Sequence, residues 1–291
     1  MPVRGASGPA GVAATVRPMT EDVRRRLVRL VRRSDADLAE AALLCALGCA
    51  PDLDVEGELL HVDALADGLR SQHPDLGSSV AAATALRDHL GVGLGFRGDP
   101  DRSHLPEASL LHHVLAERRG LPLTLSIVYV AIARRLRVAA YPIGLPGHVV
   151  VGVAGGEHPV TLDPFHGGIL LDEPTLVARV HDATGGRVAF RRAMLRPTPT
   201  VRVVRRLLNN LSRALVHAER FAEARWTVET KLALPNHVAE DHRDLGALSI
   251  RTGRFDAAAA AYERYLELTE GDTPERQAAR RAAIDARARL N

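Results

Sequence analysis

The sequence predicts an α+β protein dominated by helix: an N-terminal helical layer, a core made of one buried helix and a small antiparallel sheet, and a purely helical tail. Three observations predict it. Ala, Leu, Val and Arg dominate a chain with only 3% aromatic residues, and its long Ala/Arg/Leu/Glu stretches favour helix. Between residues 141 and 163 the apolar period shortens from helical spacing to two. Beyond residue 200 the chain repeats itself at an offset of 34 residues.

The 291 residues, 46% of them hydrophobic, suffice to bury a real core and to divide into two compact units, which excludes a fully disordered chain. Thirty-eight Lys and Arg against 35 Asp and Glu leave a formal charge of +3. The basic residues are interleaved with acids except in short runs such as Arg24-Arg25-Arg26, so no nucleic-acid partner is expected. The first twenty residues contain nothing like a secretory apolar region, and the longest apolar stretch, Leu125 to Ala133, is far too short to span a bilayer. A bacterial, cytoplasmic protein with no membrane partner is expected.

Residues 1–20, rich in Gly and Ala, read as a flexible tail. From 21 to about 90, Leu, Ala and Val alternate with charge at helical spacing. Ser34 or Asp35 is the expected cap of a helix through Ala41, Leu44 and Leu47, closed by Gly48 and Pro51. Cys45 and Cys49, four residues apart on this helix, are spaced at roughly 6 Å, too far for a disulfide. They read as buried, reduced thiols. Gly91-Val92-Gly93-Leu94-Gly95 reads as a turn; it does not fit a dinucleotide loop, because Phe96 stands at the third glycine position. A short helix over 109–119 is expected to stop at Gly120. Pro122 then suits the first turn of the next helix, where its missing N–H is harmless. Leu125, Val128, Tyr129, Ile132 and Leu136 follow at the spacing of one buried stripe.

Tyr141 to Leu145, Gly147 to Val153 and His158 to Asp163 read as strands, the last two joined at Gly155-Gly156. A two-residue turn there pairs His148 directly with Asp163 on one face. Val149, Val151, Val153, Val160 and Leu162 fill the other, suited to packing on the preceding helix.

Arg196-Pro197-Thr198-Pro199-Thr200 reads as a linker. The expected division is thus a tail over 1–20, a core domain with its helical layer over 21–196, and helical repeats over 197–291. In the repeats Arg220-Phe221-Ala222-Glu223-Ala224 recurs as Arg254-Phe255-Asp256-Ala257-Ala258. Leu211 and Leu245, Leu232 and Leu266, and Leu234 and Leu268 keep the same offset. That period belongs to tetratricopeptide repeats, one helix–turn–helix each, and two such repeats must lean on the core or on a capping helix over 274–290. Phe221 and Phe255 are expected to be buried within their own repeats.

Gly120-Leu121-Pro122-Leu123-Thr124-Leu125-Ser126, Gly144-Leu145-Pro146-Gly147-His148 and Leu162-Asp163-Pro164-Phe165 together resemble the SirB-type branch of the transglutaminase-like superfamily. Pro51 to Val55, Gly95 to Gly98 and Leu207 to Leu211 resemble the same branch, so the likeness covers about residues 35–285. The resemblance implies a papain-like core. Active members use a Cys–His–Asp triad, in which a helix N-terminus stabilises thiolate, an imidazole takes its proton and a carboxylate orients the imidazole. Carried over, the histidine is His148 and the aspartate Asp163. Relatives with the cysteine read Gly-Asn-Cys where this chain reads Gly120-Leu121-Pro122, so Pro122 stands at the nucleophile position.

Thr124 and Ser126 are the hydroxyls near that helix start. Ser126 is the less favoured candidate nucleophile, since it lies a turn deeper than the usual position, and it is expected instead to bond the helix backbone. The leading reading is therefore a non-catalytic module that binds an unknown protein or peptide through the repeats and the relict cleft. The alternative is a hydrolase or acyltransferase with an unusual nucleophile. A metal site from His148, His158, Asp163 and His166 is a third reading, against which the strand register puts His158 on the face opposite His148 and leaves three ligands at best. No metal and no cofactor are expected.

Overall fold

The computed structural model describes the backbone of residues 10–33 and 35–290. Twelve helices and a four-stranded sheet make up the fold among these residues. The helical layer consists of α1 (Ala10–Val31), α2 (Leu38–Ala46), α3 (Val55–Gln72) and α4 (Ser79–Leu86). Helix α1 takes in residues 10–20, the second half of the expected flexible tail, while residues 1–9 lie outside the described residues. Ser34 does too, and Asp35 is not the cap of α2. Asp37 is: its carboxylate accepts from the Ala39 and Glu40 N–H groups, which otherwise lack helical partners. Cys45 and Cys49 are free thiols, as the spacing requires.

The glycine-rich stretch expected as a turn is instead a π-helical extension of α4, Arg87–Gly93, closed by Leu94 N–H donating to His89 O. The reason lies across the fold. A Cβ at Gly91 would stand 1.8 Å from the Gly167 carbonyl oxygen, so only glycine lets this backbone run against the loop after the sheet. The helix expected to stop at Gly120 is α5 (Leu111–Glu117), and Arg118, at φ 59°, supplies its left-handed end. Gly120 belongs to a short parallel bridge, β1 (Arg97–Gly98) with β2 (Arg119–Gly120).

Helix α6 (Pro122–Arg135) starts at Pro122. It is buried on all sides from Leu123 to Ala133 rather than along one stripe, because α3, α5 and the sheet all pack on it. The sheet is an antiparallel meander of β3 (Ala140–Leu145), β4 (His148–Val153), β5 (Val160–Asp163) and β6 (Ile169–Leu171). Pro146-Gly147 turns β3 into β4, with Gly147 at φ 68°. The β4–β5 register differs from the expected one by two residues: Val151 faces Leu162 and Val153 faces Val160. The connection is the longer loop 154–159, which keeps Pro159 out of the ladder, where it has no N–H to give. A slip of two preserves the faces. Val149, Val151, Val153 and Leu162 therefore still pack in the main core with α6.

The opposite face, expected to lie away from the core, has an apolar cover of its own. Ile143, Leu145, Val150 and Leu171 pack there against Leu176 and Val180 of α7 (Glu173–Thr184). His148 and Asp163 share this α7 face.

The tail comprises α8 (Thr200–His217), α9 (Phe221–Ala233), α10 (Ala239–Arg251), α11 (Phe255–Leu268) and α12 (Pro274–Ala288). The 34-residue offset is a backbone repeat as well as a sequence one. Glu219 and Gly253 both take positive φ, at 57° and 69°, and Arg220 N–H donates to Leu215 O as Arg254 N–H does to Ser249 O. Phe221 and Phe255 are half-buried rather than buried, since each carries a guanidinium on its ring face: Arg251 at 3.9 Å and Arg289 at 5.1 Å. The apolar core does not stop at the 196–200 linker. Val203, Val204, Leu207 and Leu208 of α8 and Trp226 of α9 belong to the same cluster as α6.

Trp226 also explains Gly48, whose Cβ would lie 2.1 Å from the indole ring. Gly48→Ala is expected to destabilise the protein by about 1–3 kcal/mol through overpacking at this layer–tail contact. Chemical unfolding measures it, and an unchanged midpoint would show that the ring gives way freely.

Candidate functional site

Asp163 ends β5 and begins the single 3-10 turn Pro164–His166. Its side chain is fully buried, yet four donors converge on it. Oδ1 takes His148 Nε2 at 3.0 Å and the Phe165 N–H at 3.0 Å; Oδ2 takes His166 Nδ1 at 2.7 Å and Arg179 Nη1 of α7 at 2.8 Å. A buried carboxylate survives only when so satisfied. Burial pushes its pKa up, but the hydrogen bonds from His148 and His166 and the charge of Arg179 outweigh burial and hold the carboxyl below its usual range.

His148 and Asp163 thus come together as expected, although the strands set them diagonally rather than directly opposite. The phenyl of Phe165 stands edge-on to the imidazole, with ring centroids 6.0 Å apart. Asp163 fixes Nε2, which leaves Nδ1 as the other ring nitrogen for chemistry. His166 and Arg179 complete the cluster around Asp163. Arg179 comes from α7, whose place over this face no local pattern in the sequence indicates.

The donor atoms of His148, Asp163 and His166 lie within 4.8 Å of one another, a spacing that suits a metal ion. His158 is elsewhere, in the 154–159 loop beside Arg192 at 2.7 Å. The residues do not fit a cation well. The Arg179 guanidinium already neutralises the one carboxylate, and any ion would have to displace it.

Pro122 is the first residue of α6 and has no N–H. Ser126 Oγ donates to the Pro122 carbonyl at 2.7 Å and is fully buried, a backbone-bonded hydroxyl as expected. Thr124 is buried too. Neither cysteine substitutes. Burial raises the Cys45 thiol far above its ordinary range, and burial with the nearby Glu223 pushes Cys49 up to about 12, so both are poor thiolates.

A cleft of about 420 Å³ opens at the start of α6. Pro122 forms part of its wall beside Gly147 and Val149, the residues on either side of His148. Helix α8 forms the facing wall with Arg206, Asn210 and Arg213. The His148 ring is turned to Asp163 and Phe165, but its backbone carbonyl accepts from Arg206 Nη2 at 3.2 Å, which ties the pair to the cleft.

The profile of the transglutaminase-like superfamily matches residues 58–209, from α3 to α8. A UPF0162 protein of Xylella fastidiosa is 30% identical over 234 residues, covering 79% of this chain and 83% of the relative. A UPF0162 protein of Pseudomonas aeruginosa is 28% identical over 192 residues, 65% of this chain and 69% of its own length. Human F-box only protein 21 is similar over a shorter stretch, 28% identical over 111 residues, or 34% of this chain and 18% of that protein.

Proposed function

The chain belongs to the transglutaminase-like superfamily, and from that premise we propose that it is a non-catalytic member that binds a protein or peptide partner. One observation carries the reading: Pro122 occupies the first position of α6, where the fold's chemistry requires a thiol at a helix N-terminus. Proline offers neither a nucleophile nor an N–H. The nearest deep hydroxyl, Ser126, gives its proton to the helix backbone and is sealed from solvent. His148 and Asp163 remain as a relict pair that now fixes the corner between β4, β5 and α7.

Binding would use the cleft above Pro122 together with α8–α11, which we read as two tetratricopeptide-type repeats with α12 as their cap. The reading carries a bacterial, cytoplasmic setting, in keeping with two cysteines held as thiols. Among the described residues, no helix is long and apolar enough to cross a membrane.

The test is turnover. Purified protein given activated acyl esters and amide-linked peptides is expected to release product no faster than buffer. Turnover that survives replacement of both cysteines by alanine and disappears in Ser126→Ala would overturn the reading and identify the nucleophile.

A further inference from the structure

The cleft at the start of α6 carries charge of one sign. Its polar wall holds Arg206, Asn210, Arg213 and His217 of α8 with His104 beside His217, and no Asp or Glu lines it. Neither arginine has a carboxylate partner among the described residues. Arg206 is half-buried and donates to the His148 carbonyl; Arg213 Nη2 donates to Asn210 Oδ1 at 2.7 Å. Burial lowers the Arg206 pKa, and the charge of Arg213 on the same wall adds to that. Both stay charged, because arginine does not deprotonate in proteins. The rings of His104 and His217 stand edge to face, 5.7 Å between centroids, and add N–H donors to the same wall.

Arg206 is half-buried with no carboxylate partner while Arg213 is exposed, so an anion entering the cleft gains most from Arg206, and a guanidinium fork matches a carboxylate with two parallel hydrogen bonds. The start of α6 favours the same charge: Leu121 gives it no side-chain cap, so the positive end of the helix dipole is open there. The other half of the wall is apolar, formed by Leu121, Leu123, Val149 and Ala214. An anion beside an aliphatic group is the chemistry of a peptide's last residue, and a cleft of about 420 Å³ is within the range of small-ligand sites.

We propose that this cleft captures the carboxyl terminus of a peptide whose final side chain is aliphatic, with Arg206 and Arg213 holding the carboxylate and the Leu121–Leu123–Val149 wall taking the side chain. The proposal rests on the peptide-binding reading above and names its ligand chemistry.

Fluorescence anisotropy tests it on the full chain with a labelled hexapeptide ending in leucine, made once as the free acid and once as the amide. The free acid is expected to bind about tenfold or more tighter than the amide, the loss of one charged hydrogen-bond pair. Arg213→Gln is expected to remove about that factor for the acid and to leave the amide unchanged. Arg206→Gln should do the same, but Arg213, whose only partner in the wall is Asn210, is the cleaner variant. Unlabelled N-acetyl-leucine should compete and inorganic phosphate should not. Equal affinity for acid and amide, no binding of the acid at about 1 mM, or stronger competition by phosphate would overturn the assignment. Mass spectrometry of the same samples separates the two claims. A cleaved probe would sink the non-catalytic reading, whereas an intact probe bound without carboxylate preference would sink this one alone.

Discussion

Asp163→Ala is expected to cost about 3–5 kcal/mol of unfolding free energy, the range for removing one partner of a buried ion pair. The side chain is fully buried and joins three elements: β4 through His148, the turn after β5 through the Phe165 N–H and His166, and α7 through Arg179. Alanine removes every acceptor at once. Arg179, three-quarters shielded, is left with its charge facing a cavity, while His166, half-exposed, turns to water at little cost. Asp163→Asn should cost less, since an amide oxygen still accepts from the Phe165 N–H. Urea unfolding at neutral pH measures both, and a loss below about 1 kcal/mol for alanine would mean that the corner rehydrates without strain. The pH dependence follows from the lowered carboxyl pKa. Stability from Asp163 is present in full above the ordinary aspartate value of about 3.9 and is lost as pH falls through the lower folded value. The gap between wild type and Asp163→Asn should therefore close only in strong acid.

How much of this was legible in the sequence depended on whether the determinant was local. Pro122 at a helix start, the left-right alternation of Val149 to Val153, and the 34-residue repeat each rest on periodicity or on one residue's backbone chemistry, and each appears in the structure. The β4–β5 register was off by two because Gly155-Gly156 looked like the whole turn, whereas Pro159 cannot join the ladder and lengthens the loop. The pairing of His148 with Asp163 survived, since a two-residue slip changes partners without changing faces. What could not be read were contacts between distant segments. The π-helical run at Gly91 answers to Gly167, Gly48 to Trp226, and the cationic wall of the cleft to Arg206, which lies 58 residues beyond His148. A sequence without its fold shows such residues only as ordinary glycines and arginines. One signal was available: Arg206 and Arg213 lie seven apart on a helix, two turns on one face, with Asn210 between them.

Pro122→Cys, made in a background with Cys45 and Cys49 replaced by alanine, is expected to react with an electrophilic thiol probe about tenfold faster than an exposed control cysteine at pH 7. The introduced thiol would sit at the uncapped start of a 14-residue helix, where the dipole favours thiolate, in a cleft whose facing wall carries Arg206 and Arg213. Both effects lower its pKa. Against them stands the wall of Leu121, Leu123 and Val149, which disfavours charge by desolvation; an open cleft with two cations leaves the balance with the thiolate. Arg206→Gln should slow the labelling. The further variant His148→Ala separates an old active site from a structural support. Asp163 holds Nε2 and leaves Nδ1 free, so an imidazole within reach of the cleft would accept the thiol proton and its loss would slow the reaction. Because Gly147 and Val149 rather than the ring itself line the cleft, this slowing should be smaller than that from Arg206→Gln. Labelling no faster than the control would mean that the start of α6 does not activate a thiol, and the argument that proline here silenced an older chemistry would fail with it.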